Sequence, residues 1–280
     1  AEQGKKPLSE AIPGETLNIL LGSRPLGDDE DSDRVKMQVL KRLYDKYGIT
    51  EADFASAELE TVPAVGATDI GLDASLIGAY GHDDRVCGFA ALQALLDIGT
   101  PEKTAVCVLA DKEEIGSMGV TGMQSAAFDT FMNDLCDSQN VALRVCYENA
   151  FCLSADVTAA YDPNFADVYE KRNASFLNHG VGLCKYTGAR GKSGSSDANA
   201  ETVGYVRGVL DKAGIRWQIC EMGKIDAGGG GTVAQYMANR NIATLDAGVP
   251  VLSMHAPFEV VAKLDCYEMY RACKALYEAL

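Results

Sequence analysis

The chain has 280 residues, of which 47% are hydrophobic and 23% charged, a composition that can bury a sizeable core and excludes intrinsic disorder. Its 25 Lys and Arg stand against 40 Asp and Glu, a net charge of −15. That field repels phosphate backbones and anionic lipid, so neither nucleic acid nor a membrane surface is an expected partner. No apolar run reaches the ~20 residues of a membrane helix, and the opening AEQGKKPLSEAIPGE has no apolar signal core. Nine cysteines, an odd number lying mostly in apolar runs such as AVCVLA, read as free thiols in a reducing compartment. The expected location is the cytoplasm.

In chain order, LNILLG (17–22) reads as a short buried strand, followed by the acidic turn GDDEDSD. VKMQVLKRLYDKYG then places Val35, Val39, Leu40, Leu43 and Tyr47 on one face of an amphipathic helix, with Ser32 as N-cap and Gly48 just past its end. AELETVP is strand-like. From about residue 79 the character changes. Apolar runs of strand length occur at 104–110, 151–157, 181–187, 216–222, 241–248 and 249–255. Helical patterns occupy 88–98, a stretch after Gly119, 198–214, 232–240 and the tail from Ala262. Continuous apolar strands alternating with helices predict an α/β domain with a mainly parallel sheet covered on both faces.

Function in such sheets gathers at the carboxyl ends of strands. Four polar clusters stand there or open the next element: Gly81-His82-Asp83-Asp84-Arg85, Asp111-Lys112-Glu113-Glu114, Ser154-Ala155-Asp156 and Ser253-Met254-His255. Singly each has a plain explanation, such as a helix-start charge, an N-cap or a hydrogen-bonded histidine. Together, carboxylates and one histidine on separate strand ends have the composition of a divalent metal site. Two zinc ions about 3.5–4 Å apart need a shared carboxylate, which Asp83 or Asp84 could supply. Of two adjacent glutamates, one can bind metal while the other stays free as a general base. The run DAGGGGT (226–232) lacks a P-loop ending and a GxGxxG fingerprint. The string from Gly188 to Lys192-Ser193 has the wrong glycine spacing, so close approach of a ligand to flexible backbone is the expected use of the glycines.

GHDDR (81–85), FAALQALLD (89–97), DKEEIGS (111–117), SAD (154–156), DAGGGGT (226–232) and MHAPFE (254–259) together resemble the aspartyl aminopeptidase and vacuolar aminopeptidase I family of dinuclear zinc exopeptidases. The resemblance runs from about residue 79 to the end. The stretch before it resembles the last part of that family's dimerisation domain, which implies residues 1–78 as a dimerisation remnant and 79–280 as the catalytic domain. By resemblance, Asp83 is the bridging metal ligand and Asp84 only its neighbour. Glu113 is the general base, Glu114 and Asp156 are metal ligands, His255 is the histidine ligand, and Lys185 lies at the substrate pocket. The implied cofactor is zinc, two per subunit, with cobalt or manganese as substitutes. The implied partners are a peptide substrate and further copies of the chain. The implied reaction releases the N-terminal residue of a peptide, with Glu113 taking a proton from water and delivering it to the leaving amine.

The sequence departs from the family in one respect. The family's first zinc histidine sits in a His-x-Asp segment upstream, whereas the histidines here are His82, His179 and His255. The chain therefore resembles the family without its amino-terminal part, an incomplete zinc-exopeptidase sheet in which one metal position lacks its histidine. Two readings stay open: part of a longer enzyme, impaired alone, or a short form that keeps the fold as an assembly subunit without turnover. The completeness of the motif set favours the first. A deacylase or carboxypeptidase on the same fold is the alternative enzyme class; it needs an arginine for the substrate carboxylate, and Arg85 and Arg190 are the candidates.

Overall fold

The computed structural model describes residues 3–27, 33–191 and 193–279. Most of the acidic turn, with the expected cap Ser32, lies outside them, as does Lys192. The chain divides into two compact units, 1–61 and 62–280. The strand Leu76–Ala79 belongs with the second unit and pairs with Glu259–Ala262, so the division falls earlier than residue 78.

In the first unit a short helix α1 (Leu8–Ala11) precedes α2 (Arg34–Tyr47). The amphipathic pattern locates α2 to within a residue. Gly48 closes it in the left-handed region (φ 72°), its N–H returning to the Tyr44 carbonyl, the usual role of a glycine past a helix end. Residues 17–22 form no strand: Leu17, Leu20 and Leu21 are exposed and unladdered. An apolar run becomes a strand only where a neighbouring strand satisfies its backbone, and none is described in this unit. AELETVP is likewise irregular and exposed.

The second unit runs β1 (Thr68–Ile70), β2 (Leu76–Ala79), α3 (His82–Asp97), α4 (Ala127–Ser138), α5 (Leu143–Glu148), β3 (Phe151–Ala155), β4 (Thr158–Ala159), β5 (Val181–Cys184), β6 (Tyr186–Ala189), β7 (Ser193–Asp197), α6 (Ala200–Lys212), β8 (Trp217–Ile219), α7 (Ala234–Ala238), β9 (Ala243–Gly248), β10 (Pro250–Leu252), β11 (Glu259–Ala262) and α8 (Lys263–Ala279). The α/β class expected from the sequence is observed. The mainly parallel character is confined to a four-stranded sheet, β3-β9-β5-β8, with β3/β9 and β5/β8 parallel. A five-stranded sheet, β1-β2-β11-β10-β4, is antiparallel apart from β10/β4. β6 and β7 make a separate hairpin.

Side-chain alternation on β3 shows how the four-stranded sheet is covered. Phe151, Leu153 and Ala155 join the core with α3, α6 and α8 residues such as Ala90, Val206, Leu210 and Met269. Cys152, facing the other way, joins Met132, Tyr147 and Met237 from α4, α5 and α7. Helices thus pack on both faces. The run TAVCVLA is not a strand: it makes no ladder, and with β3 it lines a cavity of about 1080 Å³. A β-ladder requires a partner backbone at about 4.8 Å, a condition hydropathy does not report. All nine cysteines are free thiols.

Candidate metal centre

Five carboxylates and one imidazole converge where the two sheets meet α3. Asp83 sits at the start of α3, where its φ −80°, ψ 112° interrupts the helical backbone and the following peptide bond is cis. Glu113 and Glu114 lie on a single 3₁₀ turn after the TAVCVLA segment, entered through Lys112 in the left-handed region. That turn is held from behind, since Gln124 Nε2 donates to the Gly116 carbonyl at 2.7 Å and Tyr236 Oη donates to it at 3.3 Å. Asp156 follows β3, its Oδ1 accepting from the Val157 N–H at 2.8 Å. His255 follows β10 in a turn where it and Ser253 both have positive φ.

Ligand atoms of these residues form three overlapping groups, each with its atoms within 4.8 Å of one another: Asp83, Glu114 and His255; Asp83, Asp84 and Asp156; Asp84, Glu113 and Glu114. His255 Nε2 stands 3.1 Å from Asp83 Oδ2 and 3.3 Å from Glu114 Oε2. Asp83 is common to the first two groups. Glu113 and Glu114 share Asp84 as a neighbour, and Glu114 alone also joins the histidine's group.

Crowding of like charge in a partly dry site disturbs the acids. Burial, then hydrogen bonding to Asp84 and repulsion from Asp156 and Glu114, pushes the Asp83 carboxyl up to about 9. Burial, then Asp84 and Glu114, raises Glu113 to about 7. Asp156 is held well above the carboxylate range by burial first, then by Asp246, Glu113 and Asp84. Carboxylates that disfavour each other's ionisation are stabilised together by a multivalent cation. The donor set of oxygens with one imidazole suits zinc, cobalt or manganese.

The structure thus brings together Asp83, Glu113, Glu114, Asp156 and His255, and it adds Asp84, whose carboxylate enters two of the groups. Lys185, between β5 and β6, pairs with Asp197. His82 is buried with Nε2 3.2 Å from the Ile77 carbonyl and enters none of them. Arg85 spends its guanidinium on the Gly81 and Tyr80 carbonyls. The glycine run serves the chain's own backbone. A Cβ on Gly229 would lie 2.1 Å from the Gly188 carbonyl, and Gly188 and Arg190 N–H donate to Gly230 and Gly228 carbonyls. The loop therefore packs against the β6–β7 hairpin.

The family profile of the aminopeptidase I zinc metalloproteases (M18) matches residues 4–277. The chain belongs to that family. A probable M18 family aminopeptidase 1 of Clostridium acetobutylicum is 47% identical over 272 residues, covering 96% of this chain and 58% of the relative. Another, of Thermotoga maritima, is 45% identical over 278 residues, covering 98% of this chain and 61% of the relative. A crystal structure of an M18 family aminopeptidase from Thermotoga maritima superimposes with a TM-score of 0.93 at 44% identity, covering 99% of this chain and 62% of that one. The M18 chain thus spans about six-tenths of the length of these relatives.

Two acids of the M18 chain escaped sequence reasoning. Glu259, 2% exposed, accepts from the Asp83 N–H at 3.0 Å and the His255 N–H at 2.8 Å. Asp246, in β9, accepts from Ser154 Oγ at 2.6 Å. Burial first, then the Cys184 thiol, holds it well above the carboxylate range. Its signal was present, a lone acid inside the apolar run IATLDAG. Glu259 had only its place at the end of MHAPFE, four residues after His255.

Proposed function

We propose that this chain carries the two-metal hydrolytic site of an aminopeptidase. The observation that carries the reading is that two of the three ligand groups share Asp83, while the third joins them through Asp84 and Glu114. In this reading Asp83, Glu114 and His255 hold one ion, and Asp83 and Asp156, with Asp84 alongside, contribute to the other. Zinc, when bound, supplies Lewis-acid polarisation of the scissile carbonyl.

The chain's own residues supply the proton handling. Glu113, the general base by resemblance, stays in the cluster beside Asp84 once Asp83, Glu114, Asp156 and His255 are assigned to metal. In the metal-free chain burial first, then Asp84 and Glu114, raises its carboxyl to about 7, in the range suited to general-base work near neutral pH. It takes a proton from the attacking water and returns one to the leaving amine. Lys185, by resemblance at the substrate pocket, is held by Asp197 until substrate arrives. The partners in this reading are a peptide with a free amino end and further copies of the chain. Exposed Leu17, Leu20 and Leu21 offer apolar surface for self-association. Among the described residues no helix is long and apolar enough to cross a membrane.

The test pairs zinc content after dialysis with hydrolysis of leucyl and aspartyl amides, with free and with blocked amino ends. The reading expects two ions bound and cleavage of free-ended substrates alone. Fewer than two ions would deny the shared site, and equal cleavage of blocked substrates would deny the aminopeptidase.

A further inference from the structure

The residues that present Asp83 and His255 sit on irregular backbone. Asp83 breaks the helical path of α3. His255 has φ 65°, its side chain is 62% exposed, and its turn is closed by the Ala256 N–H to the Ser253 carbonyl. Neither β2–α3 junction nor β10–β11 turn has a ladder at these positions. Their N–H groups instead converge on one buried carboxylate. Glu259 opens β11 opposite Ala79 of β2, which aims its side chain at the gap between the two segments. Oε2 takes the Asp83 N–H and Oε1 the His255 N–H.

We propose that Glu259 is a positioning residue, a carboxylate clamp that fixes the Asp83 and His255 backbones at the separation at which their side chains share an ion. This rests on reading those two residues as ligands. A carboxylate is required at this place because both incoming groups are donors. A glutamine of the same shape offers one acceptor oxygen and sets an N–H₂ against the other N–H. Burying an anion beside Asp83 is costly unless its hydrogen bonds are complete, and here each oxygen has a charge-assisted partner. Groups that orient metal ligands typically change metal affinity 10–100-fold when replaced.

The test compares the chain with Glu259→Gln and with a matched control, Asp265→Asn. Asp265 is also a fully buried carboxylate accepting from two backbone N–H groups, of Asn178 and Gly180 at 2.7 Å each, and it touches none of the candidate ligands. Zinc affinity by competition with a chromophoric chelator should fall at least tenfold in Glu259→Gln, and the visible spectrum of the cobalt-substituted protein should change. Asp265→Asn, with a comparable loss of Tm, should change neither. In chelator, amide exchange of Asp83 and His255 should accelerate selectively in Glu259→Gln. Unchanged zinc affinity and cobalt spectrum, or equal losses in both variants, would overturn the clamp. Should the parent chain take up no zinc, the metal reading fails, and the exchange rates alone decide whether Glu259 holds the two segments, unchanged rates overturning it.

Discussion

Removing metal should leave a protein that loses stability as pH rises through neutrality, against the trend of ordinary surface carboxylates. Asp83, with a side chain 5% exposed, and Glu113 titrate at about 9 and about 7 in the folded chain, whereas both ionise near 4 when unfolded. Between pH 5 and 7 the folded state therefore binds more protons than the unfolded one, and stability must fall with pH. Acids lowered by hydrogen bonds, such as Asp129 beside Arg240 and Asp53 in its capping box, act in the opposite sense. Their contribution is lost only as pH falls toward the acid range. For Asp83 and Glu113 alone, two extra protons over two pH units amount to about 5 kcal/mol, at ~1.4 kcal/mol per proton and unit, and Asp156 and Asp246, raised in the same sense, act in the same direction. Coupling within the cluster and the partial exposure of Glu113 reduce the expected fall to about 2 kcal/mol. Above pH 7 the Asp83 carboxyl, with the raised Asp156 and Asp246, continues the decline. Urea unfolding in chelator at pH 5, 6, 7 and 8 measures it, with Asp83→Asn as reference: repulsion from the net charge of −15 is nearly common to both proteins, and the variant should flatten the slope. Saturating zinc should abolish it. A chelated chain whose stability stays level or rises from pH 5 to 7 would refute the burial and repulsion assigned to these acids.

Two further outcomes follow from the same geometry. Glu113→Gln should bind zinc as the parent does while losing about 10²–10⁴-fold in hydrolysis, read by comparing kcat with zinc content; loss of zinc instead would make Glu113 a ligand. Gly248→Ala should cost about 3 kcal/mol by urea unfolding, because its Cβ would fall 1.6 Å from the Asp156 carbonyl oxygen. Gly204→Ala, inside α6 with no atom near its Cβ, should instead gain about 0.5–1 kcal/mol, and equal effects from the two would deny the close approach at Gly248.

What could be read from the chain and what could not divides along a physical line. Helix α2 was legible because its periodicity and its closing glycine are local properties. The acids at 83, 113, 114 and 156 and the histidine at 255 were legible because each follows an apolar run or opens the next element, where α/β sheets expose side chains. LNILLG and TAVCVLA misled because hydropathy reports a wish for burial, while a strand needs a neighbour's backbone, which lies elsewhere in the sequence. The same distinction explains Glu259. Its importance comes from two backbone N–H groups, one of them 176 residues away, and a backbone N–H leaves no mark in a sequence pattern. Ligands advertise themselves by chemistry. The groups that hold ligands answer to backbone geometry, and for that reason the clamp needed the fold before it could be seen.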